Sequence, residues 1–307
     1  MSRISRLKEQ EKTIKKEKKE QSKEKRKSLF KKLFMICLIL GILALIYAAF
    51  IEPNILLVNE HKIETDKITE NYHGLKIVHF TDLHYGTTIN KKNIHKIINA
   101  INELKPDIVV FTGDLMEDRK TLPDEDIEIL IKSLKNINST LGKYAVLGNH
   151  DMNNPHYDHY ANIFYDSDFK YLNNDYDLIY KNDNHPILIY GVDELLFGEP
   201  SMEPLNELKL ENNIYKIVLA HEPDYIDEID SSLGIDLVLS GHSHNGQFKI
   251  PYIRPIFLPE GSRKYYAPYY KVNDIDLYVS NGVGTSALPI RFASIPSINL
   301  YRITKSN

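Results

Sequence analysis

Five short apolar runs of the sequence each end at a residue that could bind a metal ion. Runs of this length, rich in Val, Ile and Leu and stopped by Gly or Asp, are typical of buried β-strands. In open α/β sheets, ligands bind beyond the carboxyl ends of the strands, so we expect these five ends to form one site. The runs cover residues 76–81, 108–112, 144–147, 216–220 and 237–240, and they lead into Asp82-Leu83-His84, Gly113-Asp114, Gly148-Asn149-His150-Asp151, His221 and Gly241-His242-Ser243-His244.

The residue types at these strand ends are those of a site for two divalent metal ions. Such a site needs a bridging carboxylate, several neutral imidazoles and open positions for water and substrate. Asp114, alone after its glycine, suits the bridge, and Asn149 offers a neutral oxygen. The single cysteine, Cys37, lies far from the motifs in sequence, which disfavours soft ions and Cys-type structural zinc.

The charge expected at this centre indicates the class of substrate. Two divalent ions, two aspartates and one bridging hydroxide leave a formal charge of about +1, which attracts a small anion such as phosphate. Metal binding lowers the pKa of water from about 15.7 toward 7, so hydroxide is available at neutral pH. We therefore expect hydrolysis of a phosphate ester by a metal-bridging hydroxide. His150 is then left to donate a proton to the leaving group or a hydrogen bond to phosphate.

Taken in order, the five motifs resemble those of the calcineurin-like metallophosphoesterases, and most closely the bacterial membrane-associated branch of that family. The resemblance covers roughly residues 75–247. It implies an α/β fold in which two sheets form a sandwich flanked by helices, two divalent ions (Mn, Fe or Zn), and His150 as the catalytic histidine. It also implies that Asp82, His84, Asp114 and His244 bind one ion, and that Asp114, Asn149, His221 and His242 bind the other.

Two arginines are interpreted against this pattern. In the phosphoprotein phosphatases, the Gly-Asp motif is followed by an acidic residue and then by an Arg, and that Arg binds phosphate. Here Glu117 and Asp118 precede Arg119, which adds one acidic residue. This spacing disfavours Arg119 as a phosphate ligand and disfavours a protein-phosphatase activity. Arg291 is expected to form a surface ion pair rather than to reach the substrate.

The first 51 residues predict a membrane anchor. Residues 1–32 contain 14 Lys or Arg and 5 Glu, a balance of +9; because the whole chain carries −4, the remainder carries −13. This tail is expected to be solvated or to form a frayed helix. Residues 33–51 contain no charge and, at about 1.5 Å per residue, can span a hydrocarbon core of roughly 30 Å. The apolar run is longer than a signal-peptide core of about 7–15 residues, which favours an uncleaved signal anchor.

The distribution of charge also predicts the orientation of the chain. The positive-inside rule places the basic tail in the cytoplasm, so we expect a single-pass cell-membrane protein with an extracytoplasmic catalytic domain. The expected organisation is a charged basic tail at 1–32, a transmembrane signal anchor at 33–51 and a metallophosphoesterase domain at 52–307. Apolar stripes predict helices at 90–104 and 124–136, and further strands are expected at 277–280 and 298–301.

Several functions stay open at the level of sequence. The membrane anchor suggests a phosphate mono- or diester on a lipid headgroup, an envelope polymer or a nucleotide near the bilayer. The alternatives are a non-catalytic, metal-loaded binding or scaffold protein and an exonuclease of the same fold. The −13 charge of the body disfavours the exonuclease and any long nucleic-acid partner, because such partners need tracks of Lys and Arg along their phosphates.

Overall fold

The computed structural model describes residues 3–117, 122–153, 157–182, 184–208, 213–250 and 252–306. The chain forms two compact units, Met1–Ala48 and Ala49–Asn307. The first is a helix, α1 (Arg3–Ile46). The helical stretch Lys12–Asn54, which includes the predicted anchor, is long and apolar enough by length and composition to cross a membrane. Arg119, which the sequence disfavoured as a phosphate ligand, lies outside the described residues.

The second unit begins with short helical turns and then contains twelve strands and five helices in its described residues. The turns are Tyr47–Ile51 (π-helical, entering from the first unit) and Glu52–Asn54 (3-10). The strands are β1 (Leu57–Thr65), β2 (Leu75–Phe80), β3 (Ile108–Thr112), β4 (Gly142–Val146), β5 (Lys170–Tyr171), β6 (Asp175–Ile179), β7 (Ile187–Gly191), β8 (Lys216–Leu219), β9 (Leu237–Ser240), β10 (Tyr269–Val272), β11 (Ile275–Val279) and β12 (Ser297–Lys305). The helices are α2 (Ile94–Glu103), α3 (Asp124–Lys135), α4 (Asn149–Met152), α5 (Tyr157–Asp166) and α6 (Glu203–Glu207), and further 3-10 turns span Glu70–Tyr72, Pro223–Glu228, Ser231–Leu233 and His244–Gly246.

The strands form two mixed sheets of six. The order in the first sheet is β1-β12-β2-β3-β4-β5, and in the second it is β10-β11-β9-β8-β7-β6. Strands β2 to β5 are parallel in the first sheet, as are β7, β8, β9 and β11 in the second. The structure confirms the seven predicted strands as β2, β3, β4, β8, β9, β11 and β12, and the two predicted helices as α2 and α3.

Both faces of the central strands are apolar, because successive side chains of a strand point to opposite faces. On the inner face, Ile77 and Val110 of the first sheet pack with Ile217 and Leu239 of the second, so the two sheets lie face to face. The outer face of the first sheet packs against α2, α3 and α5. The outer face of the second packs against α6, through Leu205, and against the segments that hold Tyr225 and Leu233. The structure therefore confirms the predicted two-sheet sandwich flanked by helices.

Candidate metal centre

The seven predicted metal ligands lie together at one edge of the sandwich. They follow β2, β3 and β4 of the first sheet and β8 and β9 of the second, and parallel strands place these loops at the same edge. Six of the side chains form two groups whose ligand-type atoms lie within 4.8 Å of one another; the groups are Asp82, His84 and His244, and Asp114, His221 and His242. Their assignment as ligands stays a prediction, but the structure assembles the set.

The second group converges on one nitrogen atom, Nε2 of His221. The Oδ2 atom of Asp114 lies 3.3 Å from it, Oδ1 of Asn149 lies 3.2 Å from it, and Nδ1 of His242 lies 3.1 Å from it. All three neighbouring atoms can supply a lone pair. A set of nitrogen and oxygen atoms that converge in this way can bind a divalent cation.

The outer nitrogens of the two histidines are held by backbone carbonyls. His221 Nδ1 donates to the carbonyl oxygen of Thr112 at 2.6 Å, and His242 Nε2 donates to that of Glu260 at 2.6 Å. A neutral imidazole that donates through one nitrogen keeps its lone pair on the other. Both inward-facing nitrogens can therefore serve as metal ligands, with their tautomers fixed by the second contact.

The protonation of this group fits a cation site. Burial acts to lower the pKa of His221, but the charges of Asp114 and Glu222 outweigh it and raise the pKa well above its usual range. Burial, with the charge of His221, lowers the pKa of His242 to about 3. The neighbouring carboxylates therefore favour positive charge at His221, which a bound divalent ion would supply in place of a proton. Metal binding at such a site releases protons.

The first group lies on the other side of Asp114. The Nε2 atoms of His84 and His244 are 3.0 Å apart, and Oδ1 of Asp82 lies 3.4 Å from Nε2 of His244. Asp82 also accepts the backbone N–H of His242, with its two oxygens at 3.1 and 3.2 Å. The two groups are therefore connected through the backbone of the His242–His244 loop as well as through side chains.

One carboxylate oxygen faces both groups. The Oδ2 atom of Asp114 lies 3.4 Å from Nε2 of His84 and 3.3 Å from Nε2 of His221. Its other oxygen, Oδ1, accepts the backbone N–H of His150 at 3.0 Å, which fixes the carboxylate plane. Asp114 is also buried. The donor set and its arrangement therefore fit two divalent ions that share Asp114.

The backbone at the site adopts a conformation that most residues avoid. Positive φ angles cost about 1–3 kcal/mol each for residues other than glycine, and they persist only where the surroundings impose them. Backbone hydrogen bonds between the loops after β2 and β3 supply such constraints, including His84 N–H to Asp114 O at 3.1 Å. The five predicted ligands with positive φ are Asp82 (53°), His84 (42°), Asp114 (59°), His242 (65°) and His244 (46°).

Two carboxylates that the sequence left without a ligand role support the site. Oε2 of Glu117 lies 2.9 Å from Nδ1 of His84, the nitrogen that faces away from the other ligands. Asp151 is fully buried and accepts the backbone N–H groups of Leu115, at 2.9 Å, and of Gly148, at 3.0 Å. A carboxylate behind a metal-binding His is a common means of orienting it. The only sequence signal was that each acid lies within three residues of a predicted ligand.

The prediction for Arg291 was wrong, because its side chain is fully buried. Its Nη2 atom lies 3.1 Å from Nδ1 of His244, Nε donates to the carbonyl of Gly284 at 2.9 Å, and Nη1 donates to that of Ser294 at 2.9 Å. The physical reason is tertiary: the segment after β11 folds back over the metal centre and carries the guanidinium inside. Arg291 therefore positions the imidazole of His244.

His150 lines a cavity of about 580 Å³ beside the metal centre. Its Nε2 atom lies 3.3 Å from Oγ of Ser286, and its ring packs edge-on to that of His84 with 4.9 Å between centroids. The cavity wall also includes Asn149, His242 and Arg263. A molecule in this cavity can contact His150 and the metal centre together.

Comparison with known proteins agrees with this geometry. The model of the calcineurin-like phosphoesterase family matches residues 75–246, which is more than half of the chain. The protein belongs to the calcineurin-like phosphoesterase family. The predicted family and fold are therefore confirmed. The protein belongs to a family of hydrolases that use divalent metals, and the clusters described above could bind them.

Three relatives extend the match beyond the family domain. The metallophosphoesterase YkuE of Bacillus subtilis is 31% identical over 261 residues, covering 85% of this chain and 90% of YkuE. The UDP-2,3-diacylglucosamine pyrophosphatase LpxG of Chlamydia trachomatis is 27% identical over 313 residues, covering 85% of this chain and 93% of LpxG. The transmembrane protein with metallophosphoesterase domain of Danio rerio is 27% identical over 246 residues, covering 76% of this chain and 54% of that protein.

Proposed function

We propose that the protein is a phosphoesterase that binds two divalent metal ions and hydrolyses a phosphate mono- or diester. The observation that carries the proposal is the position of Asp114, whose Oδ2 atom faces His84 in one group and His221 in the other. A dinuclear site needs a carboxylate that is shared between its two ions, whereas a single-metal site needs no such carboxylate.

The ligands are assigned by the group to which each side chain belongs. When bound, the two ions would draw charge from the phosphoryl oxygens and make water acidic enough to react near neutral pH. One ion is assigned to Asp82, His84, Asp114 and His244, and the other to Asp114, Asn149, His221 and His242.

His150 is proposed as the catalytic residue that contacts the substrate. Its backbone N–H is held by Asp114, and its ring faces the cavity near Ser286. From there it can donate a proton to the oxygen that leaves phosphorus, or a hydrogen bond to the phosphoryl group. Proton donation of this kind contributes about 10²–10⁴-fold to a rate.

The proposed substrate carries a lipid-like part. The relative named UDP-2,3-diacylglucosamine pyrophosphatase favours an acylated phosphate compound for this chain. The helical stretch Lys12–Asn54 and the relative named as a transmembrane protein favour a membrane-bound enzyme. The excess of Lys and Arg before the apolar segment favours a cytoplasmic N-terminus and an extracytoplasmic domain. A reporter fused after residue 307 that is active only outside the cytoplasm would support this orientation.

The experiment uses the full chain purified in detergent. Metal analysis should find two divalent ions per chain, and a panel of aryl phosphomonoesters and diesters should show turnover. His150→Gln should lower kcat by about 10²-fold or more and retain both ions. His95→Gln, at an exposed position on α2, is the matched control and should leave both unchanged. A wild-type protein that holds two ions but hydrolyses no phosphate ester would favour the non-catalytic scaffold instead.

A further inference from the structure

A loop beside the cavity exposes an unusual number of large apolar side chains. We call residues 248–250 and 252–258 the apolar loop. The side chain of Phe257 is 82% exposed, that of Ile256 is 78% exposed, and Tyr252 is fully exposed. Soluble proteins seldom expose contiguous apolar patches unless another surface covers them. The exposed members are Phe248, Ile250, Tyr252, Ile253, Ile256 and Phe257, and Leu288 is exposed on the neighbouring segment.

The apolar loop forms part of the entrance to the proposed catalytic site. Ile256, Phe257 and Leu258 line the same cavity as His150. A molecule that rests its apolar part on the loop can therefore place a polar head against His150 and the metal centre. This arrangement suits an amphiphile better than a small soluble phosphate ester.

The apolar loop is also anchored to the place where the chain leaves its apolar N-terminal segment. Glu52 accepts the backbone N–H groups of Ala293, at 3.0 Å, and Ser294, at 2.6 Å. The adjacent residue, Phe292, accepts the backbone N–H of Lys249 at 3.0 Å. Glu52 directly follows the predicted anchor 33–51. If that segment spans a bilayer, Glu52 lies at the bilayer surface. Glu52 and the apolar loop both form hydrogen bonds to residues 292–294, so the loop lies near the bilayer surface too.

The charged residues within the apolar loop are both basic, which suits an anionic surface. Residues 248–258 include Lys249 and Arg254 and no acidic residue, although the body of the chain carries −13. Arg254 Nη2 donates to the carbonyl of Arg263 at 2.6 Å, and its guanidinium carbon lies 5.8 Å from the ring centroid of Tyr266. Aromatic and basic side chains together are typical of segments at the membrane–water interface.

We propose that the apolar loop penetrates the surface of an anionic lipid bilayer and that the cavity takes the phosphate group of an amphiphile resident in that bilayer. This inference rests on the proposed function and names its substrate class. In this arrangement the substrate does not have to leave the membrane, because its apolar part stays in the lipid while its polar head reaches the candidate metal centre.

The absence of tryptophan from the chain provides a direct test. The full chain carrying either Phe257→Trp or Tyr252→Trp is reconstituted in nanodiscs of phosphatidylcholine and phosphatidylglycerol whose acyl chains are brominated. Each variant then contains a single tryptophan, so its fluorescence reports on that position alone. The apolar N-terminal helix contains no tryptophan and adds no such emission. Two probes are used because Tyr252 is fully exposed, so its replacement disturbs no packing. A side chain inserted about 5–10 Å into the interface should lose about half of its emission or more to the bromine atoms.

Tyr180→Trp is the matched control. Tyr180 is 53% exposed and follows β6, whose last residue pairs with Ile187 at the start of β7. Strand β7 runs parallel to β8 and β9, so its first residue lies at the end of the sheet far from the candidate ligands. Tyr180 lies at this far end, and its emission should not be quenched. Omitting phosphatidylglycerol should weaken the quenching at 252 and 257, because the basic side chains lose their partners.

Two results would overturn the inference. Unquenched, red-shifted emission at both 252 and 257 would show that the loop faces water. Unquenched but blue-shifted emission that depends on protein concentration would show that a second copy of the chain covers it. The fluorescence needs no substrate or metal. Loss of quenching with intact phosphoesterase turnover would therefore refute the membrane contact alone, whereas quenching without turnover would refute the proposed function alone.

Discussion

Replacement of Arg291 separates the buried role seen in the structure from the surface ion pair expected from the sequence. The variant Arg291→Met keeps much of the volume of the side chain and removes its charge and donors. The change leaves the carbonyl oxygens of Gly284 and Ser294 without the donors they have now, and it removes the side chain that lies 3.1 Å from Nδ1 of His244. The guanidinium is fully buried, so water does not replace these bonds readily.

The expected loss of stability follows from the number of broken contacts. A buried acceptor left unsatisfied costs about 1–3 kcal/mol, and breaking a buried charged network costs about 3–5 kcal/mol. We expect Arg291→Met to lower the free energy of unfolding by about 3–5 kcal/mol. The loss is smaller than the sum over all broken contacts, because the variant no longer bears the cost of burying a charge. For a domain of this size, that corresponds to a fall in Tm of roughly 6–20 °C. Arg291→Lys should be intermediate, because an ammonium keeps the charge but cannot match the planar fork.

The assay is thermal unfolding of the full chain in detergent, followed by circular dichroism. Arg302→Met on β12 is the matched control: Arg302 forms an exposed ion pair with Glu60, with Nε 2.8 Å from Oε1. An exposed pair contributes at most about 1 kcal/mol, so the control should unfold within a few degrees of the wild type. If Arg291→Met unfolds at the same temperature as Arg302→Met, the reasoning from burial is wrong.

Three further changes test other parts of the structure. Asp114→Asn should remove at least one metal ion per chain and lower activity by about 100-fold or more, since the shared oxygen loses its charge; unchanged metal content would contradict the bridge. Gly148→Ala should abolish metal binding at the second group, because a Cβ there meets Oδ1 of Asp114 and the ring of His221; normal metal content would show that the loop can shift. Burial, with the charge of His61, lowers the pKa of His79 to about 3. Stability should therefore fall as the pH drops below about 6.5, by about 2 kcal/mol at pH 5, and His79→Gln should remove this part of the dependence in urea titrations at pH 7 and 5.

The sequence predicted the local elements well where the pattern of apolar residues was strong. The runs before Asp82, Asp114 and His221 have the length and composition of buried strands, and they are strands β2, β3 and β8. Helix α3 begins at Asp124, as predicted from its apolar stripe. Helix α2 begins at Ile94 rather than near Asn90. Residues 90–93 instead form a turn in which the side chain of Asn93 accepts the backbone N–H of Asn90.

The proximity of the candidate ligands was predictable because parallel strands end at one edge. Once five strands each end in a ligand-type residue, the sheet geometry brings them together whatever the intervening loops do. Glu117 was harder to place, because an acid in a loop has no periodic signal. The apolar loop was not predicted either, since an apolar run in sequence does not show whether its side chains are packed or exposed.

The sequence by itself determined the strands, the helical faces, the candidate membrane segment and the identity of the candidate ligands, because these depend on the order of residue types within short windows. Only the tertiary structure decided which atoms face each other. It placed Arg291 behind His244 and Asp114 between two histidines, and it joined Glu52 to Ala293 and Ser294 by hydrogen bonds. Contacts between residues far apart in sequence depend on how loops close over the sheets, and a linear pattern carries no measure of that closure.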